Sequence, residues 1–563
     1  MIALVVLISM LVFLAGYRVY GGFLSRRLKI DDACRTPACE INDGVDYVPA
    51  KASLLLGQHF SAIAAAGPIV GPILAAVWFG WLPALLWIVL GSIFIGGVHD
   101  FSSLVASIKH KASSIGGIVK EYMSPTSHVL FLIFVWFALV YVIIAFTDIT
   151  AQTFKTVASG TAFGPAVAAS SILYLVLGVL MGVALYKLKL PLWAATVVFL
   201  PLVLLTVLLG TKLPATAISA MLNIPVKHWE IGLLIYCFIA SLVPMWLLLQ
   251  PRGYLGGWFL YLTIATGLLG ALFGGFHVQY PALNLSGLKA ADTGKLLFPV
   301  LFITVACGAC SGFHGIVSSG TTSKQLYRES DARVVGYGAM LLEGLVAVLA
   351  LATVMMLPKG ASILKSDPNL IYANGLARYL GLIGVNFNIA LAFALLAFST
   401  FVYDTLDVCT RLARYILQEL FGWKTRIGAF AATFITLLLP FAFLMLTKEK
   451  GYLVAWPIFG TSNQLLASLT LLAISVWLIK TGRNAIFSLI PMAFMMVVTM
   501  WSLVLQILPF LKSLPGVFGG ESIVLDALIS GVCGIILFAL SITLLWEAIR
   551  VLSLASAKGR RPV

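Results

Sequence analysis

The chain has 563 residues, of which 61% are hydrophobic and 10% charged, where soluble domains carry about 25% charged residues. That balance excludes a water-soluble protein and demands either membrane-spanning helices of about 20 residues or a closed barrel. The net charge of +15 comes from Lys and Arg dispersed over loops, which fits the positive-inside rule and excludes a basic nucleic-acid-binding face.

Long continuous apolar runs, as in Ile2 to Leu24, Val129 to Phe146 and Trp229 to Leu249, do not alternate as barrel strands would. They predict an all-α polytopic membrane protein of about 15 transmembrane helices. The expected spans are 2–24, 53–79, 81–107, 128–155, 167–186, 190–210, 229–250, 255–276, 295–318, 334–357, 382–403, 427–447, 452–479, 484–511 and 523–552. The first run resembles a signal peptide but lacks a small-residue cleavage site, so it reads as a retained helix. Loops after odd-numbered spans hold the larger share of Lys and Arg. The N-terminus is therefore expected outside, with Lys558, Arg560 and Arg561 of the C-terminus inside and the Ser25 to Lys51 stretch cytoplasmic.

One compact transmembrane domain is expected, since no linker or soluble segment interrupts the pattern. Residues 1–52 supply an N-terminal helix and loop, 53–210 and 229–403 two sets of five helices, and 404–563 about four further helices. Five is odd, so a duplicated unit would enter the membrane in opposite directions, an inverted repeat common in secondary transporters.

Helix breaks point to a site. The first set opens with Gln58 and His59 followed by two Gly-Pro pairs, Gly67-Pro68 and Gly71-Pro72, which remove backbone donors and favour unwinding. The second set opens with a helix carrying Pro244 and ending in Gln250-Pro251-Arg252-Gly253. Matched breaks predict a substrate site near the midplane lined by Gln58, His59, Gly67, Gly71 and Gln250. Arg252 either grips a substrate carboxylate with its fork or snorkels to headgroups.

Two coupling ions compete. For Na⁺, backbone carbonyls near Ala64 to Gly67 would combine with Ser318, Ser319 or Thr322 as oxygen ligands. For H⁺, a buried acid would serve, with Asp148 first and Glu343 second; His99 and Asp100 are further intramembrane candidates. Asp404 and Asp407 stand at helical spacing from Arg411 and Arg414 and read as a structural ion pair at the cytoplasmic interface. Cys307, Cys310 and His314 share a helix face, but two thiolates in the bilayer would need a permanent cation. Cys34 and Cys39 form a Cys-x₄-Cys pair that would supply half a metal site or remain a reduced thiol pair. No phosphate loop, His-Glu-x-x-His or Gly-x-Ser-x-Gly element is present, so neither an enzyme nor an ATP-driven pump is expected.

The runs Asn42 to Pro49, Gly67 to Pro72, Gln250-Pro251-Arg252, Cys307 to Thr322 and Trp456 to Leu465 closely resemble the carbon starvation protein A family. The resemblance implies a bacterial or archaeal inner-membrane transporter that takes up short peptides under carbon limitation, with some relatives importing pyruvate by proton symport. It also implies the inverted five-plus-five fold of the amino-acid, polyamine and organocation (LeuT-like) transporters. Secondary active uptake of peptides is thus the expected function, with pyruvate as the alternative substrate. H⁺ is the expected coupling ion, with Na⁺ as its alternative, and no other cofactor and no nucleic-acid partner is expected. A nutrient sensor would need an output domain, and a channel a continuous pore.

Overall fold

A computed structural model of the chain describes residues 1–43, 47–158, 161–212, 217–244, 246–447, 452–518 and 525–559. Gly44 to Asp46, Arg560 and Arg561, singled out above, lie outside the described residues. The helices that form the spans and flank their breaks are α1 (Ile2–Arg27), α2 (Ala52–Ile63), α3 (Gly67–Phe79), α4 (Trp81–Lys109), α5 (Pro125–Thr153) and α6 (Gly164–Tyr186). There follow α7 (Leu192–Lys212), α8 (Val226–Leu242), α9 (Leu249–Phe273), α10 (Leu297–Thr304) and α11 (Gly312–Val317). The last six are α12 (Arg333–Met355), α13 (Phe387–Phe421), α14 (Arg426–Leu446), α15 (Tyr452–Lys480), α16 (Ile486–Phe518) and α17 (Leu525–Gly559). The named strands are two-residue hairpins in loops, Val157–Ala158 with Thr161–Ala162 and Leu285–Ser286 with Lys289–Ala290.

This is a multi-pass membrane protein. Among the described residues 12 helices are long and apolar enough to cross a bilayer, or 13 if α2 and α3 form one span bent by 48°. The difference from the expected 15 has two causes: α8 has 17 residues, and α10 is parted from α11 by an unwound stretch. Helices α5, α12, α13 and α15 are mostly enclosed, whereas α1, α7, α14 and α17 leave most of their apolar surface for lipid. Composition explains the split, because the enclosed helices carry the Ser, Thr, Asp, Glu and Asn that hydrocarbon would penalise.

The first break falls at Ala64 to Ala66, where Ala64 leaves the helical region (φ −82°, ψ 69°). Helix α3 runs unbroken through Gly67 to Pro72, so the Gly-Pro pairs do not themselves unwind, contrary to expectation. Pro68 sits in the first turn of α3, where its missing N–H has no intrahelical acceptor to lose. A second break, Val305 to Ser311, lies against α3, in addition to the interruption expected at Pro244, which is also present. A Cβ on Gly67 would overlap Cys307, and one on Gly71 the Thr304 carbonyl. Groups freed by this break find partners on α4 and α15: Trp87 Nε1 donates to Val305 O at 3.1 Å and Ser92 Oγ to Gly308 O at 3.1 Å. Asn463 Oδ1 accepts from Phe313 N at 2.9 Å, and Gln464 Nε2 donates to Phe302 O at 2.6 Å. The Ser-Asn-Gln segment therefore caps both half-helices.

A third interruption, between α8 and α9, leaves C-terminal carbonyls that Arg411 and Arg414 satisfy. Arg411 donates to Ala240 O (2.7 Å) and Val243 O (2.6 Å), and Arg414 to Ser241 O (2.6 Å). Cationic side chains at a helix C-terminus also complement its dipole.

At one face the segment before α2 docks beside the end of α11. Val48 N donates to Lys324 O at 3.2 Å and Ala50 N to Gln325 O at 2.8 Å. Thr36 Oγ1 donates to Leu326 O at 2.6 Å, Ser330 Oγ to Asp32 at 2.7 Å, and Lys109 pairs with Glu329 at 2.7 Å.

Candidate functional site

Helices α2, α9 and α13 and the end of α11 converge on a small cavity of about 30 Å³, lined by Gln58, His59, Arg252, Gly253, Thr321, Thr322 and Asp404 with apolar neighbours. Small residues make the convergence possible. Gly257 sits against the Gly57 backbone, and a Cβ on Gly256 would overlap the Asp404 carboxylate. Such contacts let membrane helices approach closely. A larger chamber of about 390 Å³ adjoins, sharing Gln58 and lined by Lys51, Tyr186, Gln250, Tyr254 and Gln325 among others.

Arg252 is fully buried, so it does not snorkel. Its Nε donates to Asp404 Oδ1 at 2.8 Å and Nη2 to Tyr403 O at 3.1 Å, while Nη1 meets both Asp407 and the Tyr236 hydroxyl. Tyr236 donates to Asp407 at 2.8 Å, Tyr174 to the Arg252 carbonyl at 2.8 Å, and Ser61 to Asp404 Oδ2. The expected pairing of Asp404 and Asp407 with Arg411 and Arg414 is therefore corrected. Helical spacing pointed to the nearest cations in sequence, but those cap α8, and the carboxylates face across the bundle to Arg252. One guanidinium held by two carboxylates carries a net charge of about −1, which a proton would cancel and a ligand carboxylate would deepen.

The pocket brings together Gln58, His59, Arg252 and Thr322, with His59 Nδ1 at 2.8 Å from Thr322 Oγ1. Gln250 lies in the adjoining chamber, bonded to the Tyr186 hydroxyl at 2.5 Å. Gly67 and Gly71 are not pocket residues; they are the contact surface of α3 on the second break. The oxygen donors expected for Na⁺ are not gathered in this pocket. Thr322 turns to His59, while Ser319 donates to Gly315 O at 2.8 Å and accepts from Ile115 N at 3.4 Å; neither Ser318, Ser319 nor Ala64 lines the pocket.

Asp148 lies apart on α5, where it is hydrogen-bonded to Glu230 of α8 and receives Gln152 Nε2 at 3.2 Å. Lys227 is 3.2 Å from Glu230, so the cation absent from Asp148's own sequence neighbourhood is supplied from another helix. Cys34 is exposed and Cys39 half-buried, its thiol 3.5 Å from Tyr327 O. Among the described residues no three His, Cys, Asp or Glu side chains are grouped to hold a metal, so Cys34 and Cys39 find no third ligand, and Cys307, Cys310 and His314 make no site. Sequence reasoning missed Ser61, Tyr236 and the capping role of Asn463. The available signal was Gly256-Gly257 one turn after a buried Arg, a place cleared for something on the facing helix.

A family model described as carbon starvation protein CstA matches residues 1–374 and 359–502. A peptide transporter CstA of Helicobacter pylori is 32% identical over 573 residues, covering 90% of this chain and 82% of its own. A peptide transporter CstA of Bacillus subtilis is 32% identical over 549 residues, 88% of each chain. The pyruvate/proton symporter BtsT of Escherichia coli is 29% identical over 603 residues, covering 91% of this chain and 83% of its own. All three bear transporters' names, not enzymes'. With matches of this extent over residues that include the broken helices, Arg252 and the capping Asn463, the chain belongs to the carbon starvation protein CstA family.

Proposed function

We propose that this protein is a secondary active transporter of the bacterial inner membrane that imports short peptides, with uptake driven by protons. The observation that carries this reading is the pair of joined chambers with a buried Arg–carboxylate cluster at the inner end. The inner chamber, about 30 Å³, admits little beyond a carboxylate head, and the 390 Å³ chamber is of small-molecule size. A C-terminal carboxylate competes with Asp404 for the Nε–H edge of Arg252, Ser61 retains Asp404, and the peptide body lies among Tyr186, Gln250 and Tyr254. The names of the relatives from Helicobacter pylori and Bacillus subtilis support peptides. Pyruvate is the second reading, favoured by the small inner chamber and by the symporter relative.

We read fifteen spans, counting α8 and the α10–α11 pair, with the N-terminus outside and the C-terminus inside. Five-plus-five symmetry is better served by α2–α3, α4, α5, α8 and α9 against α10–α11, α12, α13, α14 and α15 than by 53–210 against 229–403. The packing supports this grouping: α5 lies on α13 and α8 on α14, α9 packs on α2 as α15 packs on α11, and α12 on α3 as α4 on α11. Helices α6 and α7 then become an insertion in the first unit. Asp148 with Glu230, at the far end of α5, is assigned to proton entry.

Counterflow in proteoliposomes with labelled dipeptides and pyruvate side by side tests the reading. Saturable exchange of one of them is expected. Absence of exchange for both, or flux without saturation, refutes it, and accumulation that requires Na⁺ at constant pH refutes proton coupling.

A further inference from the structure

Behind the pocket, three helices bring four titratable side chains into one fully buried cluster. His99 Nδ1 and His314 Nδ1 each lie 2.7 Å from a different oxygen of Asp100. On its other edge His314 Nε2 is 3.2 Å from Glu343 Oε2, near enough for a proton to pass yet poorly aligned for a settled hydrogen bond. His99 and Asp100 come from α4, His314 from α11 and Glu343 from α12, and all four are fully buried.

The proton count follows from the geometry. Asp100 as carboxylate accepts both Nδ1–H groups, which leaves each imidazole Nε2 with a lone pair. One further proton, shared between His314 Nε2 and Glu343, completes the chain on the edge where an imidazole nitrogen and a carboxylate face each other. Both Glu343 oxygens and His99 Nε2 lack hydrogen-bond partners among the described residues. A cluster serving only to hold helices together would satisfy those atoms. The other titratable neighbours are His59 on the pocket side and Cys307 and Cys310 of the second break. Among the described residues no Lys or Arg pairs with the cluster.

Resting on the transport reading above, we propose that His314 and Glu343, braced by Asp100 and His99, bind the proton that is co-transported with substrate. The link to the pocket is α11 itself. His314 is on its first turn, and the polar turn continuing from its end carries Thr321 and Thr322, which both line the pocket, with Thr322 bonded to His59. A proton on the relay adds a positive charge behind a pocket that receives an anion, so each ligand favours the other, and the coupling is reciprocal. The proton passes between His314 Nε2 and the Glu343 carboxylate with no other bond made or broken.

The test is substrate affinity against pH in proteoliposomes, with labelled dipeptide and pyruvate as probes. One proton bound per substrate makes the wild-type dissociation constant rise about tenfold per pH unit on the alkaline limb. Glu343→Gln and His314→Gln are expected to flatten that dependence and to lose accumulation driven by a pH gradient, while counterflow stays within about threefold of wild type. An unchanged slope in both variants overturns the proposal and leaves the transport reading standing. Loss of counterflow in both folded variants also overturns it, by making them substrate-site residues. Absence of wild-type counterflow overturns the transport reading and this proposal with it. Where Glu343→Gln does not elute as wild-type protein, Glu343→Asp replaces it. The shorter acid is expected to keep the slope and move its pH range, and an unmoved range counts against the relay.

Discussion

Replacing Arg252 by Gln removes the guanidinium that bonds both buried carboxylates, Asp404 and Asp407, together with its contacts to the Tyr236 hydroxyl and the Tyr403 carbonyl. Breaking a buried ion pair by deleting one partner costs about 3–5 kcal/mol, and the presence of two stranded carboxylates puts Arg252→Gln near the upper end. Asp404→Asn is milder, because the amide oxygen still accepts from Nε and Asp407 still balances the guanidinium. Loss of one charge-assisted bond there is worth about 1.5–3 kcal/mol. In the double variant only Asp407 is left unpaired, so the cost falls below the sum of the single changes, with a coupling of about 2–3 kcal/mol. That is roughly a hundredfold in the unfolding equilibrium. The assay is unfolding of purified protein by SDS titration in mixed micelles, followed by tryptophan fluorescence, for the four members of the cycle. Single effects that add within about 0.5 kcal/mol, or an Arg252→Gln protein within about 1 kcal/mol of wild type, would refute the reasoning. Arg252→Lys is expected to restore charge without restoring exchange, since an ammonium cannot reach both carboxylates and Tyr403 O at once.

Other expectations are more local. Gly256→Ala places a methyl on the Asp404 carboxylate and should abolish uptake, whereas Gly253→Ala, whose nearest neighbour is Gln58 Cγ at 3.9 Å, should be tolerated; uptake assays on the two separate crowding from mere loss of glycine. Gly71→Ala should destabilise by about 1–3 kcal/mol. Because its obstacle is the main-chain oxygen of Thr304, no side-chain replacement on α10 should rescue it in the same SDS titration. Cys34 is exposed while Cys237 and Cys310 are buried. A membrane-impermeant maleimide should therefore label Cys34 in inverted vesicles and not in intact cells, and labelling in cells would reverse the proposed orientation.

Helices were legible in this sequence because hydrocarbon imposes a long, simple signal: runs such as Val129 to Phe146 fall inside α5. The first break was legible as composition but misplaced by a few residues, since Pro68 and Pro72 mark where a half-helix begins more than where one ends; the interruption at Pro244 was legible in place, and the one at Val305 to Ser311, which holds no proline, was not. Partnership was not legible. Asp404 and Arg252 are separated by 152 residues, and local spacing offered Arg411 as a nearer, false partner. His99, Asp100, His314 and Glu343 each drew attention on its own chain segment, yet only the packing of α4, α11 and α12 makes them one chain of proton acceptors. The capping by Asn463 was likewise invisible, because the groups it satisfies exist only once the second break has formed.

The two rungs from Val48 and Ala50 to Lys324 and Gln325 have a mechanical meaning. They tie the start of α2 to the end of the polar turn after α11, so the two half-helices that wall the pocket on one side are yoked. Neither can swing alone without giving up main-chain bonds worth about 0.5–1.5 kcal/mol each. The yoke also forms a wall of the larger chamber, through Val48, Ala50 and Gln325. A gate built this way opens along its other seam, where α2 and α11 face α9 and α13, and that seam is the one crossed by the contact of Ser61 with Asp404. The proposed moving part is then a single lever that carries His314 at one end and the Thr321 and Thr322 wall of the pocket at the other, against Asp100 and Glu343 on the helices beside it.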